Sequence, residues 1–71
     1  MTADTLRVTI NGREELLPSG LTVATLLEWR GVHTTMVAVE QNGRILRKSE
    51  FPETAIASGD KLEIVHFVGG G

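Results

Sequence analysis

Two Asn-Gly dipeptides, each preceded by an apolar stretch, constrain the fold of this 71-residue chain more than any other feature. Asn-Gly readily adopts the positive φ angles that a two-residue β-hairpin turn requires. Asn11-Gly12 follows an alternation of apolar and polar residues, and Asn42-Gly43 follows an apolar stretch that is rich in valine. The sequence therefore predicts two hairpins, whose strands lie at 6–10, 13–17, 36–41 and 44–47.

The segment between the hairpins predicts one short helix. Residues 18–20, Pro-Ser-Gly, end the second strand, because proline lacks an N–H donor and glycine favours turns. Thr22 is a suitable N-cap, and Gly31 is a suitable end for a helix that runs to Arg30. Three apolar residues share one face of this helix: Val23, Leu26 and Leu27. Trp29 lies beside that face and is expected to be half-buried.

The last third of the chain predicts a connector followed by a central strand. Residues 49–57 contain Pro52 and are expected to form an irregular surface connector, and residues 58–60 a turn. The final strand, 61–68, has apolar residues on both faces: Leu62 and Ile64 on one, Val65 and Phe67 on the other. A strand of this kind is typical of the middle of a sheet.

The order of these elements predicts an α+β fold. Five strands and one main helix give a mixed sheet with the helix packed across one face, which is a β-grasp architecture. We expect residues 1–68 to form this single domain. If the helix covers the other face, Val65 and Phe67 point outwards. Two interpretations of this pair stay open: a site where a partner docks, and packing against neighbouring side chains on an open sheet.

Composition and charge exclude several classes of function. The chain has 7 basic and 9 acidic side chains and a net charge of -2, so it lacks the basic surplus of a protein that binds nucleic-acid phosphates. It has no cysteine, which excludes disulfides, a zinc ribbon and a thiol nucleophile. No apolar run approaches the roughly 20 residues that span a bilayer. We therefore expect a cytoplasmic protein that binds neither nucleic acid nor membrane.

The remaining polar residues predict neither a metal site nor a catalytic site. The two histidines, His33 and His66, are too few for a metal site of their own, and His66 is expected at a strand end near the edge of the core. Three serines lie in predicted turns or connectors without a Gly-x-Ser-x-Gly motif: Ser19, Ser49 and Ser58. A small basic cluster is interpreted as a solvated hairpin face: Arg44, Arg47 and Lys48.

Three glycines, Gly69, Gly70 and Gly71, follow the final strand directly. We expect residues 69–71 to form a flexible tail, since glycine has no side chain to pack. Three extended residues reach about 10 Å, which is enough to enter a narrow channel in another protein. The carboxyl carbon of a terminal Gly71 is unhindered and open to adenylation. A frayed chain end or a cloning remnant is the alternative interpretation.

Four stretches, which together span most of the chain, carry a resemblance to a known family. They are Ile-Asn-Gly at 10–12, the helix entry and its leucines at 21–27, Val-Ala-Val-Glu-Gln-Asn-Gly-Arg-Ile-Leu-Arg at 37–47, and the glycine-ended stretch 59–71. In their order and with this ending, they resemble the sulfur carrier proteins of the ThiS family, which serve the biosynthesis of the thiazole of thiamine.

The resemblance implies a ubiquitin-like β-grasp fold and a carrier that catalyses nothing and binds no cofactor. An E1-like adenylyltransferase of the ThiF type would use ATP and magnesium to form an acyl-adenylate at Gly71. Sulfur from an enzyme such as a cysteine desulfurase would convert it to a thiocarboxylate, the donor to a thiazole synthase of the ThiG type. Gly69 and Gly70 would give the tail its slender reach into the active sites of both partners.

Three other functions stay open at this point. The first is the related carrier that forms the small subunit of molybdopterin synthase and has the same tail chemistry; the ending His66-Phe67-Val68 and the short connector favour the thiazole pathway. The second is a ubiquitin-like modifier, in which Gly71 would be joined to a lysine of a target protein. The third is an interaction module whose glycine tail is inert.

Overall fold

The structure, a computed structural model, describes residues 4–67 and contains one five-stranded mixed sheet with the strand order β2-β1-β5-β3-β4. The elements are β1 (Thr5–Ile10), β2 (Arg13–Pro18), α1 (Val23–Trp29), a first 3-10 helix (Thr34–Met36), β3 (Val37–Gln41), β4 (Arg44–Ile45), a second 3-10 helix (Lys48–Glu53) and β5 (Lys61–His66). Strands β1 and β5 are parallel, and the other neighbours are antiparallel. The predicted α+β fold, with one main helix and a mixed sheet, is confirmed.

Both predicted hairpins form with the turn geometry that their sequences favour. Asn11 and Gly12 have φ angles of 52° and 81°, and Asn42 and Gly43 have φ angles of 54° and 87°. Positive φ at both central residues is the signature of a type I′ turn, whose twist matches that of the flanking strands. The first hairpin is complete to its end, since Thr5 is still paired with Pro18 on the edge strand β2.

Helix α1 begins as predicted, with a reciprocal cap. The Thr25 N–H donates to Thr22 Oγ1 (3.2 Å), and the Thr22 N–H donates to Thr25 Oγ1 (2.8 Å). Gly31 follows the helix with a φ of 74°. The prediction for Trp29 is wrong, because this side chain is 57% exposed. Val23, Leu26 and Leu27 make the contact with the sheet, and the indole lies on the flank at the last residue of the helix.

One core lies between α1 and one face of the sheet, which we call the covered face. Its residues are Val8, Ile10, Leu17, Val23, Leu26, Leu27, Val37, Val39, Leu46, Phe51, Ile56, Leu62 and Ile64. Strand β5 lies between β1 and β3, so the prediction of a central final strand is confirmed. The other face of the sheet, the open face, carries the alternate residues of each strand.

The prediction of a surface connector at 49–57 is wrong. The second 3-10 helix packs against α1, and Phe51 is 1% exposed while Ile56 is 6% exposed. The Ile56 N–H also donates to Leu21 O (3.1 Å), which attaches the segment to the start of α1. The segment fills the part of the core that one short helix leaves uncovered.

Several element ends also differ from the prediction. Met36 belongs to the first 3-10 helix rather than to β3, and β4 has two residues rather than four. Leu46 leaves the predicted strand 44–47 because its side chain turns into the core, where it is 5% exposed. Strand β5 ends at His66. The predicted tail, 69–71, lies outside the residues that the structure describes, as do 1–3 and Val68.

Candidate functional site

The candidate site begins where the chain leaves β5 towards the glycines. Strand β5 ends at His66, which is paired with Val37 at the start of β3. The next residue, Phe67, is still held, because its N–H donates to Met36 O (2.9 Å). We call Phe67 the tail root. The predicted site residues Gly69, Gly70 and Gly71 follow it in the sequence and lie outside the described residues.

Lys48 contacts the tail root from the second 3-10 helix. Its ammonium donates to Val37 O (2.9 Å) and lies 5.3 Å from the centroid of the Phe67 ring. A cation at this distance from an aromatic ring is attracted to the ring face. Sequence reasoning placed Lys48 in a solvated cluster with Arg44, and missed this contact because 19 positions separate Lys48 from Phe67. No local pattern carries a signal for it.

Val65 and Phe67 are exposed on the open face, as expected if α1 covers the opposite face. Val65 is 57% exposed and Phe67 is 49% exposed. Ala38 faces Val65 across the β3–β5 pair, and Met36 is the hydrogen-bond partner of Phe67. We call Met36, Ala38, Val65 and Phe67 the open-face patch. It places apolar side chains next to the tail root, and whether a partner docks there stays a prediction.

The two hairpin turns hold β5 from both sides. On one side, the Asn11 Nδ2 group donates to Ile64 O (3.1 Å), and the Ile64 N–H donates to Asn11 Oδ1 (2.7 Å). On the other side, the Lys61 N–H donates to Asn42 Oδ1 (2.9 Å). Sequence reasoning used both asparagines for their backbone angles alone. Their side chains therefore have a second role, which is to fix the strand that leads to the tail root.

Asp60, the residue before β5, is buried and fully hydrogen-bonded. Its carboxylate accepts from the Ala57 N–H (2.8 Å), the Gln41 amide (3.0 Å) and the Asn42 amide (3.0 Å). Burial raises the pKa of Asp60, but the three hydrogen bonds outweigh it and leave that pKa below its ordinary value. Asp60 thus stays ionised and ties the second hairpin turn to the start of β5.

The histidines take no part in a cluster. His66 is exposed at the end of β5, and His33 precedes the first 3-10 helix, also exposed. Among residues 4–67, no group of three or more His, Asp or Glu side chains could hold a metal ion. Over the same range, no helix combines the length and the apolar character that crossing a membrane requires. The site therefore consists of the five-stranded sheet, the hydrogen-bonded tail root and the exposed apolar patch beside it.

Comparisons with known proteins agree with this geometry. The model of the ThiS family matches residues 4–71. The chain is 40% identical over 50 residues to the sulfur carrier protein ThiS of Bacillus subtilis, covering 70% of this chain and 76% of that protein. It is 46% identical over 66 residues to a thiazole synthase of Paramagnetospirillum magneticum, covering 93% of this chain. The chain spans only 20% of the length of that relative.

A solved structure shows the same architecture. The crystal structure of the thiamine biosynthesis protein ThiS from Geobacter metallireducens superposes with a TM-score of 0.79 at 33% identity. The superposition covers 93% of this chain and 100% of that one. Shared fold, shared sequence and a family match that extends from residue 4 through the glycines lead to one conclusion: the chain belongs to the ThiS family.

Proposed function

We propose that this chain is a sulfur carrier for thiamine biosynthesis and that the carboxylate of Gly71 carries the sulfur. The observation that supports this most directly is the family match, because it includes the glycines as well as the folded domain. The relative in Bacillus subtilis, which bears the name sulfur carrier protein, supports the same role. The chain acts in this proposal as a protein cosubstrate and not as an enzyme.

The proposed chemistry takes place in two steps at Gly71. A carboxylate oxygen of Gly71 attacks the α-phosphorus of ATP bound with magnesium to an E1-like adenylyltransferase, and pyrophosphate leaves. A sulfur nucleophile, written most simply as hydrosulfide, then attacks the carbonyl carbon of the acyl-adenylate. AMP leaves, a proton is released, and a thiocarboxylate remains. A sulfur-donating enzyme such as a cysteine desulfurase supplies the sulfur as a persulfide, and a thiol reductant releases it as hydrosulfide while a disulfide forms.

Glycine suits this chemistry because the acyl carbon must enter two active sites, that of the adenylyltransferase and that of the enzyme that accepts the sulfur. A side chain on Gly71 would crowd the attacking nucleophile, and side chains on Gly69 and Gly70 would widen the segment that enters the partner. In the proposal these residues provide reach, while the sheet provides the surface that a partner recognises. Val65 and Phe67 are the proposed docking residues, since an exposed aromatic beside a working segment is typical of an anchor in a transient interface.

Thiazole synthase is the proposed acceptor of the sulfur. A segment similar to this chain makes up 20% of the Paramagnetospirillum magneticum relative named thiazole synthase. That relative thus has a ThiS-like segment and a much longer remainder in one polypeptide. We propose that this chain associates with a thiazole synthase in a corresponding way and that the thiocarboxylate at Gly71 is delivered to the synthase.

Intact-mass spectrometry tests the proposal. The purified chain is incubated with an E1-like adenylyltransferase, ATP, magnesium and a sulfur source, and the loaded peptide is then sequenced. We expect a sulfur-for-oxygen mass gain at Gly71, which is absent without ATP and absent from a chain that lacks Gly71. A Glu53→Gln variant, changed at an exposed site away from the sheet, should load normally. Absence of any gain with an enzyme that loads another ThiS protein would overturn the proposal.

A further inference from the structure

Two glutamates face each other in the middle of the open face. Glu40 on β3 is the direct partner of Glu63 on β5 in the antiparallel register. Directly opposed residues have their Cβ atoms about 5 Å apart and their side chains on the same face. Both glutamates are half-buried.

The pair is unfavourable for the fold as it stands. Like charges directly opposite each other in a sheet are destabilising. The ion pairs found among residues 4–67 are elsewhere, Arg30 with Glu15 (2.7 Å) and Arg44 with Glu50 (3.4 Å). Lys61 lies on the same face as Glu63, two residues away, and forms no ion pair with either carboxylate. Folding of the isolated chain therefore gives no reason for two acids at these positions.

Apolar residues lie on two sides of the acid pair. Towards the tail root, the next pair in the register is Ala38 with Val65, which belongs to the open-face patch. On the other side, Glu40 is paired with Ile45 of β4, which is 68% exposed. The two carboxylates thus have exposed apolar neighbours towards the tail root and towards β4, and Lys61 on the side away from the tail root. A single basic side chain placed between them, with apolar neighbours on either side, complements both features.

We propose that Glu40 and Glu63 form a docking site for an arginine or lysine of the enzyme that adenylates Gly71, with Ile45 and Val65 receiving apolar side chains around it. This inference rests on the proposed function. The tail root lies four positions after Glu63, and Gly71 lies four positions after the tail root. These spacings correspond to about 13 Å along the strand and at most about 14 Å beyond it. The acids therefore act in recognition, at a distance from the reacting carbon.

Charge argues against the other occupants of this surface. In a symmetric dimer whose two-fold axis passes close to the acid pair, the acids of the two copies come together and repel. Nucleic acid and anionic lipid are repelled in the same way. A partner protein with a basic side chain is the occupant that removes the repulsion between the two glutamates when it binds.

The test uses variants in which folding and docking respond in opposite directions. Glu63→Lys places an ammonium opposite Glu40, which forms a favourable cross-strand pair in the free protein but repels the basic side chain of the partner. Glu63→Gln removes one charge and keeps the shape. Glu28→Lys, on the exposed side of α1, is the control with the same change in net charge.

We expect the KM of the adenylyltransferase for the Glu63→Lys chain to rise at least about tenfold, and for Glu63→Gln about three- to fivefold. The kcat should stay within about twofold, and Glu28→Lys should match the parent. The melting temperature of Glu63→Lys should equal or exceed that of the parent, which separates lost docking from lost folding. Raising the ionic strength should increase the KM of the parent more than that of a Glu40→Gln/Glu63→Gln double variant.

The outcomes separate this inference from the proposed function. A parent that loads, together with a Glu63→Lys variant of unchanged KM, overturns the docking site and leaves the carrier function in place. A Glu63→Lys variant that is adenylated normally but no longer transfers sulfur to thiazole synthase overturns the choice of partner. A parent that neither loads nor binds the adenylyltransferase overturns both.

Discussion

At the scale of single residues, Asn11 combines two roles that are usually assigned to different positions. Its backbone takes the positive φ of a hairpin turn, and its side chain exchanges two hydrogen bonds with the backbone of Ile64 on a different strand. Strand β1 ends at Ile10, so the side-chain amide continues the pairing with β5 beyond the last residue of the strand. The turn thus stabilises the central strand as well as its own hairpin.

We expect Asn11→Gly to lower the free energy of unfolding by about 1–3 kcal/mol, the net value of two hydrogen bonds. Glycine keeps the positive φ without strain, so the loss reports the side chain and not the turn. The check is urea-induced unfolding of the variant and the parent, with Gly12→Asn as a control that changes the turn residue without touching β5. A loss for Asn11→Gly below about 0.3 kcal/mol contradicts the assignment.

At the scale of elements, local sequence patterns predict the parts of this fold that depend on interactions between residues close in the chain. The hairpins, the start of α1 and the central position of β5 follow from turn chemistry, a cap and alternation. The second 3-10 helix could not be predicted in this way, because Phe51 is buried by residues distant in the chain. The same holds for the candidate site: the exposure of Val65 follows from alternation, whereas the contact of Lys48 with Phe67 exists only in the folded molecule.

The two phenylalanines of the chain provide a matched test of the second 3-10 helix. We expect Phe51→Ala to lower the free energy of unfolding by about 3–5 kcal/mol, since the ring is 1% exposed and leaves a cavity under α1. Phe67→Ala makes the same chemical change at a residue that is 49% exposed, and should cost at most about 1 kcal/mol, mainly the contact with Lys48. Thermal unfolding of both variants measures the difference. Equal losses would show that 48–53 is a loose surface segment after all.

At the scale of the whole molecule, the two faces of the sheet have separate tasks. Helix α1 and the second 3-10 helix close the covered face, which holds the core and supplies the stability. The open face carries no helix among residues 4–67 and presents the acid pair and the open-face patch. The tail root, Phe67, directly follows the middle strand β5. A partner that binds the open face therefore lies close to Phe67, from which the chain continues to Gly71. Under the proposed function, substitutions in the acid pair or the open-face patch should therefore affect sulfur loading without affecting folding.

Val65 and Leu16 can be used to test which part of the open face a partner recognises. Both are apolar and exposed on the open face, at 57% and 61%, but Val65 lies in the open-face patch on β5, whereas Leu16 lies on the edge strand β2. Under the proposed function, we expect Val65→Ser to lower the rate at which Gly71 is loaded at least about tenfold, when the concentration of the carrier is below the KM of the adenylyltransferase. The reason is that docking loses an apolar contact near the tail root. Leu16→Ser should load like the parent.

Both variants should unfold within about 1 kcal/mol of the parent, as exposed positions outside the core usually do. Equal slowing by the two substitutions would mean that the partner covers the whole face rather than the patch beside the tail root. Normal loading of both, in a parent that loads, would place the docking surface elsewhere on the molecule. The comparison thus locates recognition on the sheet independently of the acid pair, because neither residue carries charge.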